Sequence, residues 1–170
     1  MDEAPLPTAA PVLPAEARIR TEVQVMFFDT DCAAVVHNIA YLRFIETART
    51  YLAGNLGWSL AEMARSQQYP VVVRTEIDYK RPAVLGDNLV IDGWLERVDR
   101  IRFWCAFTIT RPSDGALLIR CRQMLALVQM PSGKPIRLPE EMQTRFAHLG
   151  QGKPGEEAST SRMYGGQIGT

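Results

Sequence analysis

The stretch FFDTDCAAVVHNIAYLRF, residues 27–44, determines how the rest of the chain is interpreted. Ten residues of this stretch, 29–38, contain two aspartates, a histidine and an asparagine, and an apolar helical pattern follows directly. From Ile39 to Ala53 the apolar residues recur at helical spacing, which predicts an amphipathic helix that ends at Gly54 and Gly57. Polar groups this close to a buried surface either satisfy the backbone or take part in chemistry.

Strand patterns precede and follow this helix. Residues Ile19–Phe28 alternate in polarity and then become wholly apolar, which predicts a first strand ending at Asp29. After the helix the period changes to two, and four successive strands are expected to form an antiparallel meander. These four strands are predicted at Val71–Lys80, Leu89–Val98, Ile101–Arg111 and Ala116–Met130. In the first of them, the residues predicted to share the apolar face are Val71, Val73, Thr75, Ile77 and Tyr79.

Shorter signals mark turns and helix ends. Ser59 and Glu62 have the spacing of a capping box, which predicts a short second helix closed by Pro70. The PSDG segment at Pro112–Gly115 predicts a hairpin turn. Pro139 followed by two glutamates predicts the first turn of a terminal helix, because proline and acids suit the exposed amides there.

Composition limits the classes of protein to consider. A chain of 170 residues with 46% hydrophobic residues fits one domain with a substantial core. Nineteen basic and nineteen acidic residues balance, so no overall field favours nucleic acid or an anionic membrane. Three cysteines without a CxxC pair argue against a disulfide framework and a cysteine-based zinc site, and no metal is expected. With neither a secretory signal nor an apolar membrane span in the pattern, a reducing cytoplasm is the expected location.

The two ends of the chain differ from its middle in composition. Residues 1–18 are rich in proline and alanine, and residues 149–170 in glycine, serine, threonine and charged residues. Both are predicted to be flexible tails around a domain at residues 19–148. One strand, a long helix and four antiparallel strands predict an α+β fold, with a sheet of about five strands wrapped around one central helix.

This order of elements resembles the hotdog fold. DTDCAAVVHNIAYLRFIETAR, residues 29–49, is similar to the DxDxxG[IV]V-x(4)-Y-x(4)-E-x-x-R motif of the 4-hydroxybenzoyl-CoA thioesterase family of acyl-CoA thioesterases. PVVVRTEIDYKRPAVLGDNLVI, residues 70–91, resembles that family's next strand and turn, and the similarity covers about residues 23–142. The chain departs from the motif at Ala34, where the family has glycine; if that position needs a positive φ angle, alanine strains the loop.

The resemblance implies hydrolysis of an acyl-CoA thioester, with Asp31 as the catalytic carboxylate and Asn38 as the group that polarises the thioester. The residues themselves allow the same chemistry, because thioester hydrolysis needs a carboxylate to attack the carbonyl or activate water, and donors for the developing oxyanion. Amides at the start of the Ile39 helix are suitable donors, since they have no partner within the helix. The alternative is structural: Asp29 and Asp31 as turn or cap residues, and Asn38 as the helix N-cap.

Other residues of the motif are candidates for supporting roles. His37 lies one position before the residue that is a histidine in some family members, so it either assists as a base or packs on the surface. Tyr41 is expected to line the core or the pocket. Glu46 either orients the site or pairs with Arg43 or Arg49 at helical spacing. Cys32 is a weaker candidate nucleophile, because no histidine and acid pair beyond His37 accompanies it.

Coenzyme A carries phosphates, so basic residues are expected near the pocket mouth. The candidates for substrate binding are Arg74, Lys80 and Arg81, with Arg100 and Arg102 as further ones, and a solvated face explains all five equally well. The resemblance also implies a homodimer or homotetramer with the site at the subunit interface. Trp94 and Trp104, on the strand faces opposite the core pattern, agree with a partner surface.

Two other functions remain open from the sequence. The substrate could be an acyl-carrier-protein thioester instead of acyl-CoA, or the chain could be a non-catalytic hotdog protein that binds acyl thioesters. No cofactor is expected beyond coenzyme A as part of the substrate. The identity of the acyl group cannot be predicted from the sequence, because it depends on packing at the subunit boundary.

Overall fold

A computed structural model describes residues 14–149 of the chain, and in this part six strands form one antiparallel sheet. The strands of this part of the chain are β1 Arg18–Gln24, β2 Gln68–Tyr79, β3 Asn88–Val98, β4 Arg102–Arg111, β5 Ala116–Gln129 and β6 Lys134–Pro135. The α-helices of the same part are α1 Asn38–Asn55, α2 Leu60–Ser66 and α3 Glu140–Arg145. The α+β class predicted from the sequence is therefore confirmed.

The strand order across the sheet is β1-β3-β4-β5-β2, with β6 on β5. The predicted meander is correct for β3, β4 and β5 and wrong for β2. Strand β2 pairs antiparallel with β5 at the far edge, and β3 pairs with β1 instead. A period of two identifies the buried face of each strand but not its neighbour, so the sequence pattern could not distinguish these two arrangements.

Helix α1 lies in the concave face of the sheet. Its prediction at Ile39–Ala53 is confirmed, with one more residue at the start and two at the end. The helix buries one apolar stripe, whose members are Ala40, Tyr41, Phe44, Ile45, Ala48 and Leu52. Helix and sheet therefore bury their apolar faces against each other, as a two-layer domain requires.

Two predicted boundaries are wrong. The first strand stops at Gln24, and Phe27–Asp29 form a 3₁₀ turn that leaves Phe27 and Phe28 exposed. Helix α2 is capped by Ser59, as the capping-box spacing predicted, but it ends at Gln67 in a left-handed conformation. Pro70 lies inside β2 instead, where a prolyl nitrogen is tolerated because β2 is an edge strand.

A bulge between Val72 and Arg74 changes the register of β2 against β5. After the bulge, Thr75 and Ile77 pair with inward residues of β5, as predicted. Before it, Val71 pairs with Ala126, so the predicted face for Val71 is wrong by one residue. The pattern of alternation cannot reveal an inserted residue when three valines follow one another.

The predicted turn at Pro112–Gly115 joins β4 and β5, and the predicted terminal helix is α3. Met142 of this helix and its C-cap residue Phe146 join the core, where the rings of Trp58 and Phe103 stack at 5.4 Å. Most of the two predicted tails lies outside the described residues. No helix of residues 14–149 has the length and apolarity needed to cross a membrane.

Candidate active site

The segment between β1 and α1 folds back on itself, which brings Asp31 close to the start of the helix. Thr30 and Val36 form an antiparallel bridge. On either side of it, the Asp31 amide donates to the Val35 carbonyl at 3.0 Å, and the His37 amide donates to the Asp29 carbonyl at 3.0 Å. Asp31 thus stands at the mouth of a closed loop that leads directly into α1.

Asp29 anchors this loop to the helix. Its side chain is only 1% exposed, and its Oδ2 accepts a hydrogen bond of 2.9 Å from the Met26 amide. Its Oδ1 accepts from the guanidinium of Arg43, which also lies 5.6 Å from the ring centre of Phe28. The structural role expected for Asp29 is therefore confirmed. Arg43, which was predicted only as a possible partner of Glu46, pairs with Asp29 instead.

The carboxylate of Asp31 is exposed in the single protomer. One oxygen, Oδ1, accepts a hydrogen bond of 2.8 Å from the Ala33 amide, as in an Asx turn. This contact fixes the direction of the side chain while the second oxygen forms no bond to the described residues. Asp31 therefore has the turn role that was the structural alternative to catalysis. Its second carboxylate oxygen, Oδ2, is still available to act on a substrate.

Ala34 adopts φ +59°, in the left-handed region. This is the conformation in which glycine is favoured and a Cβ atom costs free energy. The Ala34 amide donates to the Asp31 carbonyl at 2.9 Å, so the strained residue holds the backbone of Asp31. The strain expected from the departure from the family motif is present.

The N-cap of α1 is His37, and the prediction of Asn38 as N-cap is wrong. The Nδ1 atom of His37 accepts a hydrogen bond of 3.1 Å from the Ala40 amide, and Asn38 is the first helical residue. The bridge at Val36 sets this register, because it places His37 in an extended conformation just before the helix. The amides of Asn38 and Ile39 remain without an intrahelical acceptor, as first-turn amides must.

Tyr41 connects α1 to the loop between β2 and β3. Its hydroxyl oxygen accepts a hydrogen bond of 2.8 Å from the Ala83 amide, and its ring is buried. Burial raises the pKa of this hydroxyl, and the bond from Ala83 opposes the rise. The expectation that Tyr41 lines the core is confirmed.

The same loop is held against the Asp31 segment. Val84 forms a bridge with Val35, and the Val36 amide donates to the Ala83 carbonyl at 2.8 Å. Arg111 fixes the other side of the loop through Asp87 at 2.9 Å. No local pattern indicates this ion pair, because its two members are 24 residues apart in the chain.

Glu46 does not reach the candidate carboxylate. It is largely exposed, and its Oε1 lies 3.8 Å from Arg49 Nη2, so it pairs loosely with Arg49, one of the two predicted partners. Arg49 donates to the buried Gln123 at 2.6 Å, and Gln123 donates to Thr75 Oγ1 at 3.2 Å. A polar residue at an inward position of β5 is the signal that indicates this network, which was not predicted from the sequence.

The predicted basic residues fall into different places. Lys80 and Arg81 follow β2 and lead into the loop that pairs with the Asp31 segment. Arg74 lies at the bulge of β2, where it pairs with Glu76 at 2.9 Å. Arg100 and Arg102 lie at the turn between β3 and β4, which is the opposite end of the sheet from Asp31. Only Lys80 and Arg81 therefore stay near the candidate site.

Exposed apolar side chains surround the candidate site. We call this set the apolar rim; its members are Met26, Phe27, Phe28, Ile39, Val84 and Leu85. Phe27 is 80% exposed and Phe28 is 68% exposed, which is unusual for side chains of this size. An apolar cavity of about 130 Å³ exists elsewhere, between the last turns of α1, Trp58 and Phe103. Most of the length of α1 separates that cavity from Asp31, so it does not belong to the site.

Of the three cysteines, Cys32 is exposed, whereas Cys105 and Cys121 are buried. Burial raises the pKa of both buried thiols to about 12. These two are core residues. Cys32 lies beside Asp31 but forms no hydrogen bond with His37, whose Nδ1 atom is committed to the helix cap.

Comparison with known proteins places this geometry in context. A family model described as the thioesterase-like superfamily matches residues 25–146. The acyl-CoA thioesterase YbgC of Haemophilus influenzae is 30% identical over 128 residues, which cover 75% of this chain and 93% of that protein. The putative acyl-CoA thioesterase YneP of Bacillus subtilis is 29% identical over 118 residues, covering 69% and 85%.

A solved structure is similar throughout the described fold. The structure of Slr0204, a 1,4-dihydroxy-2-naphthoyl-CoA thioesterase from Synechocystis, has a TM-score of 0.67 and 26% identity. The alignment covers 78% of this chain and 97% of that one. A probable thioesterase from Bartonella henselae gives a TM-score of 0.66 and 28% identity, over 72% and 100% of the two chains.

Proposed function

The chain belongs to the thioesterase-like superfamily, and from this premise we propose that it hydrolyses the thioester bond of an acyl-CoA to a free acid and coenzyme A. The relatives named as acyl-CoA thioesterases align over most of their length, which supports the reaction class. The observation that carries the assignment to a site is the closed loop of residues 29–37. It pairs the backbone of Asp31, whose carboxylate is exposed, with Val35, three residues before α1 begins.

In the proposed reaction, the thioester carbonyl lies between Asp31 and the first turn of α1. The free amides of Asn38 and Ile39 donate to the carbonyl oxygen, and the helix dipole stabilises the negative charge that develops there. A single donor of this kind typically contributes about 3 to 4 kcal/mol to transition-state stabilisation. Replacement of Asn38 by proline would remove one amide and is a direct test of this contribution.

Asp31 supplies the second element of the reaction. Its carboxylate either takes a proton from the attacking water or attacks the carbonyl itself, and the thiolate of coenzyme A leaves in both routes. The Asx-turn bond from Ala33 orients the carboxylate without neutralising it. A single turnover in ¹⁸O-labelled water separates the routes. Direct attack of water labels the free acid, whereas nucleophilic attack forms an anhydride with Asp31, and water that opens this anhydride at the aspartyl carbon labels Asp31 and leaves the acid unlabelled.

The proposal includes Lys80 and Arg81 as contacts for the coenzyme A phosphates. They lie next to the loop that is bridged to the Asp31 segment, and both are exposed. Arg74 at mid-strand pairs with Glu76 and is a weaker choice. The apolar rim is suited to the acyl and pantetheine parts of the substrate, which are less polar than the nucleotide.

We further propose that two copies pair along β2. Strand β2 is hydrogen-bonded only to β5 within the described residues, and its outer edge exposes Val71, Val72 and Val73. It ends at Tyr79, at the same end of the sheet as Asp31, so a copy paired there would lie beside the apolar rim. Sedimentation of a variant with Val72→Asp tests this pairing.

A hydrolysis screen across short, long and aryl acyl-CoA thioesters tests the proposed function. The wild type should hydrolyse at least one class, and Asp31→Asn should lose about 10² to 10⁴ of that rate while it still binds the acyl-CoA. Asp99→Asn, the same change at the far end of the sheet, should keep the wild-type rate. A wild type that binds acyl-CoA without turnover, or an active Asp31→Asn, would refute the assignment.

A further inference from the structure

The cavity of about 130 Å³ at the end of α1 lies between that helix, α2 and the sheet, away from Asp31. Its walls are mainly apolar and include Leu52, Leu56, Trp58, Met63, Phe103 and Leu125. Leu60, at the start of α2, also lines the cavity and is exposed, so the cavity opens to solvent there. A ligand can therefore enter it without passing the candidate active site.

The size of this cavity limits what it can hold. An apolar cavity of about 150 Å³, lined by aliphatic and aromatic side chains, stays dry and binds benzene. The cavity at the end of α1 is slightly smaller and has a similar lining, with the stacked rings of Trp58 and Phe103 on one side. It therefore suits one aromatic ring or a chain of about six carbons.

A charged side chain, that of Arg49 on α1, lines this apolar space. The Arg49 side chain is only 20% exposed, and burial lowers the pKa of its guanidinium because the charged form is desolvated. Buried cations in proteins are normally paired with an anion, since an uncompensated buried charge is strongly destabilising. The anion that pairs with Arg49 is therefore the next question.

The described residues neutralise Arg49 only weakly. Its hydrogen bond of 2.6 Å goes to Gln123, whose side chain is neutral. Glu46 lies 3.8 Å away and is largely exposed, so water screens its charge. Cys105 also lines the cavity, but burial raises the pKa of its thiol to about 12, which keeps it uncharged at neutral pH.

The guanidinium of Arg49 also has N–H groups to spare. Within residues 14–149, Arg49 donates one hydrogen bond, from Nη1 to Gln123. The N–H groups at Nε and Nη2 lie on one edge of the planar guanidinium, and such an edge matches the two oxygens of a carboxylate. An anion at Arg49 can therefore bind through two parallel hydrogen bonds while the bond to Gln123 stays in place.

From the cavity and its cation we propose a second binding site, which takes a small apolar acid: a carboxylate on an aromatic ring or on a chain of about six carbons. The carboxylate binds Arg49, and the apolar part lies among Trp58, Phe103 and Leu125. This site is separate from the Asp31 loop and does not depend on the proposed hydrolysis. The acid that a thioesterase releases has this chemistry, and so do acids from other sources.

Fluorescence titration tests the proposal, because Trp58 lies in the cavity wall and reports on a ligand there. The probes are benzoate and hexanoate, with benzamide and hexanamide as neutral counterparts of similar size. We expect saturable binding of one acid per chain, at least about tenfold tighter than that of its amide, since hydrogen bonds to a charged group contribute this much. Trp58→Phe should lose the signal, while calorimetry still detects binding.

Arg49→Gln removes the charge from the cavity and keeps an amide donor. It should weaken the binding of benzoate by about tenfold or more and leave that of benzamide unchanged. The matched control is Arg65→Gln on the exposed side of α2, which removes the same charge outside the cavity. This variant should bind both compounds as the wild type does.

Ala53→Leu gives a second measurement if Arg49→Gln folds poorly. Ala53 lines the cavity, and leucine would fill part of its volume, so both acids should lose binding without loss of stability. Asp31→Asn should keep the wild-type affinity, which separates this site from the candidate active site even in a chain that hydrolyses no acyl-CoA.

The source of the acid is distinguished by titrating the acid that the hydrolysis screen releases. Tighter binding of that acid than of benzoate and hexanoate identifies a product site, and weaker binding identifies a site for an acid from elsewhere. The proposal is overturned if neither probe binds saturably, if acid and amide bind equally, or if Arg49→Gln and Ala53→Leu keep the wild-type affinity.

Discussion

The hydroxyl oxygen of Tyr41 accepts a hydrogen bond of 2.8 Å from the amide of Ala83. This bond joins the first turns of α1 to the loop that is bridged to the Asp31 segment. The relative position of the carboxylate and the helix end therefore depends on a buried tyrosine and not on loop residues alone.

Tyr41→Phe should destabilise the protein without removing its chemistry. The Ala83 amide would be left buried without an acceptor, which costs about 1 to 3 kcal/mol in the free energy of unfolding. Urea denaturation measures this loss, and the maximal turnover rate should fall less than about tenfold. A loss of about 10²-fold or more at full stability would instead identify Tyr41 as a catalytic acid.

Asp29→Asn should lower stability, because it removes the charge that holds Arg43 on the helix. A hydrogen bond to a charged group contributes about 1.5 to 3 kcal/mol, and the half-exposed Arg43 places the loss near the lower limit. A double-mutant cycle with Arg43→Met measures the coupling directly. Strictly additive losses in that cycle would contradict the role given to this pair.

Ala34→Gly should stabilise the loop that carries Asp31. A left-handed conformation destabilises a residue with a Cβ atom by roughly 1 to 2 kcal/mol, and glycine avoids this strain. Glycine also has more conformational entropy in the unfolded chain, which offsets about 0.5 to 1 kcal/mol of the gain. The expected gain is therefore up to about 1 kcal/mol in thermal or urea unfolding. Ala33→Gly, one residue earlier and without a positive φ angle, should give no gain.

Thiol labelling of the folded protein should modify Cys32 alone at pH 8, and all three cysteines after denaturation.

Burial raises the pKa of Cys105 and Cys121 from 9 to about 12, so their protonated form is favoured by folding. This contribution is complete below pH 9 and is lost as pH rises from 9 towards 12. The slope is up to about 1.4 kcal/mol per pH unit for each thiol. The double variant Cys105→Ala with Cys121→Ala should reduce the slope of the unfolding free energy against pH above pH 9. An unchanged slope in this variant would contradict the raised pKa of the two thiols.

The sequence predicted the fold well wherever a pattern was local. The α1 helix, the cap at Ser59 and the turn at Pro112–Gly115 were correct, because each depends on spacing within a few residues. The hotdog architecture suggested by the motif agrees with the solved thioesterase structures. The neighbour of β2 was wrong, because strand pairing depends on the path of the whole chain.

The candidate site shows the same division. Ala34 was recognised as a point of strain, since the motif marks a position that needs glycine. The cap at His37, in contrast, follows from the bridge between Thr30 and Val36, which no local pattern indicates. The partner of Asp29 lies 14 residues away in sequence, and only the folded loop brings the two together.

The bulge in β2 bears on how this protein avoids aggregation. Three consecutive valines on an open edge form the kind of segment from which fibrils nucleate, since an extended edge accepts any passing strand. The extra residue between Val72 and Arg74 bends that edge, so a flat foreign strand cannot continue the ladder past it. A strand with the same bulge can pair along this edge. The bulge therefore disfavours pairing with unrelated extended chains and leaves pairing with a second copy possible.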